Sequence, residues 1–339
     1  MSKKELAIGV LGAGGNIGHT HSQNIATYVD GARLAAVYDL NTERAEEVAK
    51  TYGAKVMASA EELIASPEID AVVIASWDGT HADLAVKCIQ AGKPVFCEKP
   101  LATTLEDAKK VVEAEKASGK RLLQIGFMRR FDPDYIKMKK ILDSGELGAP
   151  LMIHACHRNV SQPDGFQTEM GVSNVAIHEL DICRWLLGDE YKSGQVLKVR
   201  QSACSTKGYD NPQIVLLETQ SGARIDVEVQ VADAYGYDIQ CQVVCEKGTV
   251  NLPDPYAVVK RSNATRSFPI LTDWKDRFIE AYDIELTHWV KTLEEKGEPD
   301  GPSAWDGYAA CVAADTLHRS RGTNQFLPIE MMDKPALYK

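Results

Sequence analysis

A histidine, an asparagine and an aspartate are spaced along one segment so that a helix would bring them together. In SNVAIHELDICRW, residues 173–185, Asn174 and His178 are four positions apart and Asp181 follows three positions later. Residues three and four apart are neighbours on a helix surface. Imidazole exchanges protons near neutral pH, so this face is a candidate for acid–base catalysis. The alternative is an ordinary helix that carries a structural histidine, with Trp185 in the core.

A glycine-rich segment near the N-terminus suits a phosphate group. GVLGAGGNIG, residues 9–18, follows an apolar run and precedes a helical pattern. Glycines permit the tight turn and close backbone approach that a pyrophosphate needs, and a helix N-terminus adds free N–H groups. In the usual G-x-G-x-x-G spacing, Ile17 takes the third glycine position and Gly18 comes one residue late, which we interpret as a one-residue insertion. A purely structural turn is the alternative. The predicted cofactor-binding residues here are Gly12, Gly14, Gly15, Asn16, Ile17 and Gly18.

An acidic residue follows at the end of the next apolar run. Asp39 lies 21 residues after Gly18. A carboxylate at that position can accept hydrogen bonds from the ribose hydroxyls of adenosine, and it repels a 2′-phosphate. The sequence therefore favours NAD over NADP as cofactor. The alternative role of Asp39 is to form the turn ahead of Asn41.

The first third of the chain alternates short apolar runs with helical patterns. This alternation predicts a parallel sheet covered by helices on both faces. Two of the helical patterns begin with a threonine that can cap the helix and end at a glycine. The predicted strands are 6–12, 33–39, 69–76, 93–100 and 121–127, and those two helices are 42–53 and 104–119.

The pattern changes after about residue 150. Alternating Ile225, Val227 and Val229 indicate an antiparallel sheet with one face in water. The predicted fold is an α/β Rossmann dinucleotide-binding domain, 1–127, then an α+β domain, 128–339, with a large, mostly antiparallel, open-faced sheet plus helices. Its last helix could pack back on the first domain. The predicted strands are 150–159, 196–205, 212–220, 223–232 and 237–246, the helices are about 275–296 and 303–321, and Asp132-Pro133 predicts a further helix start.

Composition excludes several classes of protein. A net charge of −10 and a pI near 5.4 argue against binding nucleic acid, which needs a basic face. We expect no membrane span, because no run of eighteen apolar residues occurs, and the first residues do not resemble a signal peptide. The eight cysteines are scattered without a C-x-x-C motif. This usage predicts reduced thiols in a cytoplasmic protein and no metal site.

Several motifs resemble the glucose-fructose oxidoreductase, inositol dehydrogenase and rhizopine-catabolism (Gfo/Idh/MocA) family, with the inositol 2-dehydrogenase branch closest. The resemblance runs from residue 6 to about 321. It implies an NAD(P)-dependent, often homotetrameric enzyme, which oxidises a secondary alcohol of a polyhydroxylated ring to a ketone. Catabolism of a cyclic polyol is the role we expect. The motifs are CEKPLA (97–102), GFMRRFDPDY (126–135), HRN (157–159), TEM (168–170), IHELDICRWL (177–186), YGYDIQCQVV (235–244), WKDRFIEAY (274–282) and WDGYAA (305–310).

The resemblance assigns roles to particular positions. Lys99 is implied to be the catalytic lysine and His178 its acid–base partner, while Glu98 and Lys99 are implied to contact the cofactor. A cationic nicotinamide disfavours the ammonium form of Lys99, so the lysine can act as a base. His19, His21 and His81 are given no role. The implied substrate contacts are Lys99, Met128, Arg129, His157, Asn159, Asn174, His178, Asp181, Tyr237 and Tyr282.

The sequence departs from the inositol branch at two positions beside His178. That branch usually carries Asp-x-x-x-His and commonly threonine next, whereas this chain has Asn174 and Val175. Asparagine cannot take a proton, although its amide can orient a ring or a substrate. Oxidation of an inositol is therefore the first hypothesis, and oxidation of a sugar ring, such as C3 of a pyranose or glycoside, is the alternative. A nucleotide-binding sensor without turnover is less favoured, because Lys99 and His178 are both present.

Overall fold

The computed structural model describes residues 5–162, 165–205, 209–253 and 258–339. These residues form two compact units. The first consists of the described residues within 5–127, 282–311 and 331–339, and the second of those within 128–281 and 312–330.

The first unit contains a six-stranded, wholly parallel sheet in the order β3-β2-β1-β4-β5-β6. Consecutive strands are joined through helices, as the alternating pattern predicts. The order reverses beside β1, and this is where open α/β sheets bind ligands at the carboxyl ends of their strands. The elements are β1 (Leu6–Leu11), α1 (Asn16–Thr27), β2 (Ala32–Tyr38), α2 (Thr42–Tyr52), β3 (Lys55–Val56), α3 (Ala60–Ala65), β4 (Ala71–Ile74), α4 (His81–Gln90), β5 (Val95–Glu98), α5 (Leu105–Ser118) and β6 (Leu123–Gly126).

The second unit is built on a seven-stranded sheet in the order β12-β11-β7-β10-β9-β8-β15. Every pair in it is antiparallel except β7 with β10. A short hairpin, β13–β14, stands apart. The strands are β7 (Pro150–Arg158), β8 (Tyr191–Lys198), β9 (Gln213–Thr219), β10 (Arg224–Gln230), β11 (Asp238–Cys245), β12 (Gly248–Asn251), β13 (Lys260–Ser262), β14 (Thr265–Ser267) and β15 (Leu327–Pro328); the helices are α6 (Pro133–Asp143) and α7 (Ile177–Leu187). Two further helices, α8 (Trp274–Lys296) and α9 (Ala304–Ser320), contribute residues to both units.

The two faces of this second sheet differ in polarity. Ile225, Val227 and Val229 point inward and are buried, as their alternation predicts. The outer face carries polar and charged side chains that pair with one another: His154 Nδ1 lies 2.5 Å from Asp226 Oδ1, and Arg158 lies 2.7 Å from Glu228 Oε2. The predicted class, a Rossmann domain followed by a mostly antiparallel open-faced sheet with helices, is confirmed.

Two local predictions were wrong. The strand predicted at 196–205 is β8, which begins at Tyr191 and ends at Lys198. Gly194 lies inside it, where an added Cβ would be 2.9 Å from the side chains of Leu217 and Leu317, so this glycine permits close packing within a strand. Helix α2 is capped by the Asn41 side chain, which accepts from the Arg44 N–H, and not by the threonine that opens the helix.

Candidate active site

Two positions at the turn between β1 and α1 accept only glycine. Gly12 has φ +85°, and a Cβ there would lie 2.5 Å from the carbonyl oxygen of Ala75. A Cβ on Gly18 would overlap the carbonyl oxygen of Gly12. Gly18 therefore performs the close helix-to-strand packing expected of the third glycine, one residue late. Gly15, at the N-cap of α1, has no side chain to occupy the helix N-terminus, which leaves it available to an anion.

Asp39 is fixed in place beside this loop. Its Oδ2 accepts the N–H of Gly14 at 2.8 Å, and its Oδ1 accepts the N–H of Asn41 at 2.8 Å. Both carboxylate oxygens are thus oriented before any ligand arrives. A pocket next to Gly14 also contains basic side chains; its lining is His19, Arg44, Glu47, Val48, Lys50 and Thr51.

The end of β5 is held by a buried contact that the sequence did not reveal. His21 is fully buried on α1, and its Nε2 lies 2.7 Å from Oε1 of Glu98. The backbone N–H of Lys99 donates to the other oxygen of Glu98 at 3.2 Å. The ring of Tyr282, a predicted substrate contact, lies 5.9 Å from the His21 ring. The first unit therefore gathers Glu98, Lys99 and Tyr282 around a histidine that was given no role.

A second buried histidine anchors the residue after Lys99. His81 Nδ1 lies 2.8 Å from the carbonyl oxygen of Pro100, and its Nε2 lies 3.0 Å from that of Ser76. This ring therefore links the ends of β4 and β5. His19, the third histidine that was given no role, is exposed and lines the pocket beside Gly14.

In the second unit, the segment around His178 is not one continuous α-helix. Gly171–Val175 forms a π-helical turn, closed by the N–H of Ala176 to the carbonyl of Gly171 at 3.0 Å, and α7 follows. Asn174 lies in this turn and is half-buried, whereas His178 is 8% exposed in the first turn of α7. The four-residue spacing therefore crosses a junction of helix types. Such π-turns occur frequently at functional sites.

Three charged or titratable groups behind His178 are buried together. Arg129 and Glu179 form an ion pair, and His157 Nδ1 lies 2.9 Å from Glu179 Oε2. The ring of His157 is 6.2 Å from the ring of His178 and 6.0 Å from that of Tyr237. The second unit thus brings together four residues of the predicted site.

Other predicted substrate contacts have internal partners. Asp181 is 2% exposed and forms a bidentate ion pair with Arg130, whose Nε lies 2.8 Å from Asp181 Oδ2. Met128 is buried, and the N–H of Asn159 donates to the carbonyl of Gln230 at 2.8 Å. Their roles in substrate binding stay predictions.

Burial sets the ionisation of two of these groups. It raises the pKa of Tyr237 to about 12, so the phenol remains a neutral hydrogen-bond donor in the physiological range. Burial alone would also raise the pKa of Glu179, but the charge of Arg129 and the hydrogen bond from His157 outweigh it and hold that pKa below its usual range. The site therefore contains a carboxylate that stays ionised although it is closed to water.

Both units match one family of proteins. Residues 6–127 match the NAD-binding Rossmann fold of an oxidoreductase family, and residues 139–331 match the C-terminal alpha/beta domain of the same family. The chain belongs to the Gfo/Idh/MocA oxidoreductase family. The predicted resemblance is confirmed.

Individual members of the Gfo/Idh/MocA family are similar over nearly their whole length. Inositol 2-dehydrogenase of Ralstonia nicotianae is 48% identical over 336 residues, which is 98% of this chain and 99% of that protein. The enzyme of the same name from Burkholderia cenocepacia is 46% identical over the same shares. The crystal structure of myo-inositol dehydrogenase from Lactobacillus casei, in complex with NAD(H) and myo-inositol, is 37% identical with a TM-score of 0.95, and covers 99% of this chain and 100% of its own.

No helix in the part of the chain that the structure describes is long and apolar enough to cross a membrane. No group of three or more His, Cys, Asp or Glu side chains among the described residues could hold a metal ion.

Proposed function

We propose that the protein oxidises a secondary alcohol of myo-inositol, or of another inositol, to a ketone with NAD as cofactor. One observation carries the proposal. The inositol 2-dehydrogenases named above match nearly the whole chain, which carries Lys99 and His178 at the two positions that the family resemblance implies are catalytic. A physiological role in polyol catabolism follows from this substrate class.

The residues of the first unit fit NAD. Gly12, Gly14, Gly15, Asn16, Ile17 and Gly18 would hold the pyrophosphate at the α1 N-terminus, with Glu98 and Lys99 closer to the nicotinamide. The oriented carboxylate of Asp39 would accept hydrogen bonds from the ribose hydroxyls, which favours NAD over NADP. When bound, NAD supplies the acceptor for the hydride that leaves the alcohol carbon.

Lys99 and His178 are proposed to accept and transfer the proton of the reacting hydroxyl. As a neutral amine, Lys99 accepts that proton, and as a cation it stabilises an alkoxide-like transition state. His178 exchanges the proton onward, while Asn174 orients the ring or the substrate through its amide. The proposed substrate-facing side chains are Lys99, Met128, His157, Asn159, Asn174, His178, Tyr237 and Tyr282. Arg129 and Asp181 are also proposed substrate contacts, and each has an ion-pair partner, Glu179 and Arg130 respectively.

The alternative substrate is a sugar ring. Asn174 and Val175 favour it, because they replace the aspartate and threonine usual in the inositol branch. Oxidation at C3 of a pyranose or glycoside uses the same proton and hydride chemistry. The two candidates differ only in the ring that the second unit accepts.

The test is the initial rate of NADH formation, followed by near-ultraviolet absorbance, with NAD and myo-inositol at mildly alkaline pH. Other inositols and pyranoses are compared in parallel. Lys99→Met should lower the rate of NADH formation by a factor of roughly a hundred or more. Lys87→Met is the matched control, because that exposed lysine pairs with Glu61 at the surface and its loss should leave the rate unchanged. NAD binding without turnover of any cyclic polyol or sugar would overturn the proposal and favour a nucleotide-binding sensor.

Self-association and location are separate proposals. We propose a homotetramer or dimer, because the open face of the second sheet carries an ordered layer of ion pairs around Arg158 that a second copy could cover. Light scattering that reports a monomer would refute this.

We place the protein in the cytoplasm, since all eight cysteines are free thiols and seven of them are buried.

A further inference from the structure

Arg129, His157 and Glu179 form a triangle of polar groups closed to water. Their exposed fractions are 1%, 4% and 2%. His157 Nδ1 faces both partners: it lies 2.9 Å from Glu179 Oε2 and 3.1 Å from Arg129 Nη2. The Arg129–Glu179 ion pair closes the third side. One ring nitrogen thus meets a carboxylate and a guanidinium at hydrogen-bonding distance.

These two partners demand opposite states of His157 Nδ1. A carboxylate can only accept a hydrogen bond, so it requires a proton on Nδ1, whereas a guanidinium can only donate and requires a lone pair there. A lone pair would face the carboxylate oxygen at 2.9 Å and be repelled. A proton gives a charge-assisted bond, about twice as strong as a neutral one. Arg129 keeps its bond to Glu179 in either case, so the protonated Nδ1 is the better solution.

The charges of the triangle argue against a second proton on the ring. Arg129 remains a cation, because Glu179 raises its pKa above the usual range although burial works in the opposite direction. Glu179 remains an anion, as its lowered pKa shows. The pair is neutral as it stands. A doubly protonated His157 would give the three groups a net positive charge in a site closed to water, which is costly.

We infer that Glu179 is a positioning residue that holds His157 as the neutral Nδ1–H tautomer. The other ring nitrogen, Nε2, then carries a lone pair and accepts a hydrogen bond. In its substrate-facing role, His157 would therefore bind a hydroxyl that donates, and that hydroxyl keeps its oxygen lone pairs for other partners. The substrate part of this inference rests on the proposed function; the tautomer part does not.

Helix α7 carries both the proposed acid–base residue, His178, and the residue that positions His157, Glu179. Successive residues of an α-helix point about 100° apart. His178 and the next residue, Glu179, are therefore directed to different sides, yet both reach His157: the rings of the two histidines are 6.2 Å apart, and the carboxylate lies 2.9 Å from Nδ1. His178, the proposed acid–base residue, and Glu179, which sets the tautomer of His157, are thus consecutive in the sequence IHELD.

The tautomer can be read directly by nitrogen NMR of the full-length protein with ¹⁵N-labelled histidine, because protonated and unprotonated ring nitrogens have very different shifts. The His157 signals are assigned by their loss in His157→Gln. The parent protein should show a protonated Nδ1 and an unprotonated Nε2. In Glu179→Gln the side-chain amide can donate to Nδ1, so the proton should move to Nε2 or divide between the two nitrogens.

Two further variants separate this effect from general disturbance. Glu179→Asp keeps an acceptor-only group and should retain the parent tautomer. Glu190→Gln removes the carboxylate that pairs with Arg184 of the same helix, 2.6 Å from its Nε, and should leave the His157 signals unchanged. A parent spectrum with the proton on Nε2 overturns the inference even if no Glu179 variant folds, and so does an unchanged tautomer in Glu179→Gln.

Kinetics test the substrate part separately. Glu179→Gln should raise KM for the cyclic polyol about tenfold, the cost of inverting one hydrogen bond, and leave NAD affinity unchanged. A shifted tautomer with unaltered KM refutes the role of His157 as an acceptor for substrate. If the protein oxidises no polyol or sugar, the proposed function is refuted. If it nevertheless shows the Nδ1–H tautomer, the positioning role of Glu179 is retained.

Discussion

Nε2 of His21 lies 2.7 Å from Oε1 of Glu98, and the backbone N–H of Lys99 donates to the other oxygen of the same carboxylate. One buried carboxyl group therefore connects the helix that begins at the glycine loop with the residue implied to be catalytic. A Cβ on Gly126 would lie 3.1 Å from the Glu98 carboxyl carbon, so the space around this carboxylate is already filled.

Removing the donor from this pair should destabilise the fold. His21→Phe keeps an aromatic ring against Phe96 but leaves the Glu98 carboxylate without its side-chain donor. Breaking a buried pair in this way costs about 3 kcal/mol of unfolding free energy, measured by urea denaturation. His21→Gln retains an N–H group and should lose clearly less. Equal stabilities for the parent and His21→Phe would show that the pair contributes nothing.

The two glycines of the cofactor loop should differ sharply in their tolerance of alanine. A Cβ on Gly18 would overlap the carbonyl of Gly12, whereas a Cβ on Gly15 would lie 3.5 Å from the same oxygen, an ordinary contact. Gly18→Ala should therefore lose about 1–3 kcal/mol of stability without cofactor, since backbone must move. Gly15→Ala should stay within about 0.5 kcal/mol of the parent in the same thermal unfolding experiment. Similar losses in both variants would contradict the packing role of Gly18.

Asp39 should control the choice between NAD and NADP. Asp39→Ser removes the anion that repels a 2′-phosphate, and Arg44 and Lys50 already line the adjoining pocket. We expect NAD affinity to fall roughly tenfold, the equivalent of one charged hydrogen bond, and NADP affinity to rise. Titration calorimetry with each dinucleotide measures both. Glu43→Gln removes an exposed charge nearby on α2 and should leave the preference as it is; an unchanged preference in Asp39→Ser would refute the role of the carboxylate.

His318 should make the protein less stable in mild acid. Burial lowers its pKa below the ordinary 6.5, Arg321 lowers it further, and Glu169 and Asp315 oppose the shift. As pH falls through 6.5, the unfolded chain takes up a proton before the folded one, so the folded state loses stability from there down to the lowered pKa. Above pH 6.5 the group contributes no pH dependence. The difference in unfolding free energy between pH 7.5 and 5.5 should therefore be smaller in His318→Gln than in the parent; an equal difference would exclude His318 as the source.

The sequence predicted the elements whose signals are local. The Thr104 hydroxyl accepts the N–H of Asp107 and caps α5, and Asp132 caps α6 just before its first-turn proline, as expected. The strand alternation and the glycine loop were equally visible. These features depend on residues a few positions apart, so a single sequence contains them.

The contacts that organise the site were not predictable in this way. His21 and Glu98 are 77 residues apart, and Arg129 and Glu179 are 50 apart. Only the packing of strands and helices brings such groups together, and a buried histidine has the same local pattern as an exposed one. Glu179 offered a weak signal, because it directly follows His178. The π-helical turn before α7 also has no local marker, since its sequence reads as ordinary helix.

Asn174→Asp tests whether the departure from the inositol branch limits the enzyme. A carboxylate in place of the amide would hold the His178 ring by a charge-assisted bond and increase its basicity. The gain over a neutral hydrogen bond is about 1 kcal/mol, so kcat for myo-inositol should rise about fivefold near neutral pH. Asn324→Asp adds the same charge at an exposed position and should change neither kcat nor its pH profile. If Asn174→Asp instead lowers the rate with inositol, the amide donates to the substrate itself, and a sugar ring becomes the better candidate.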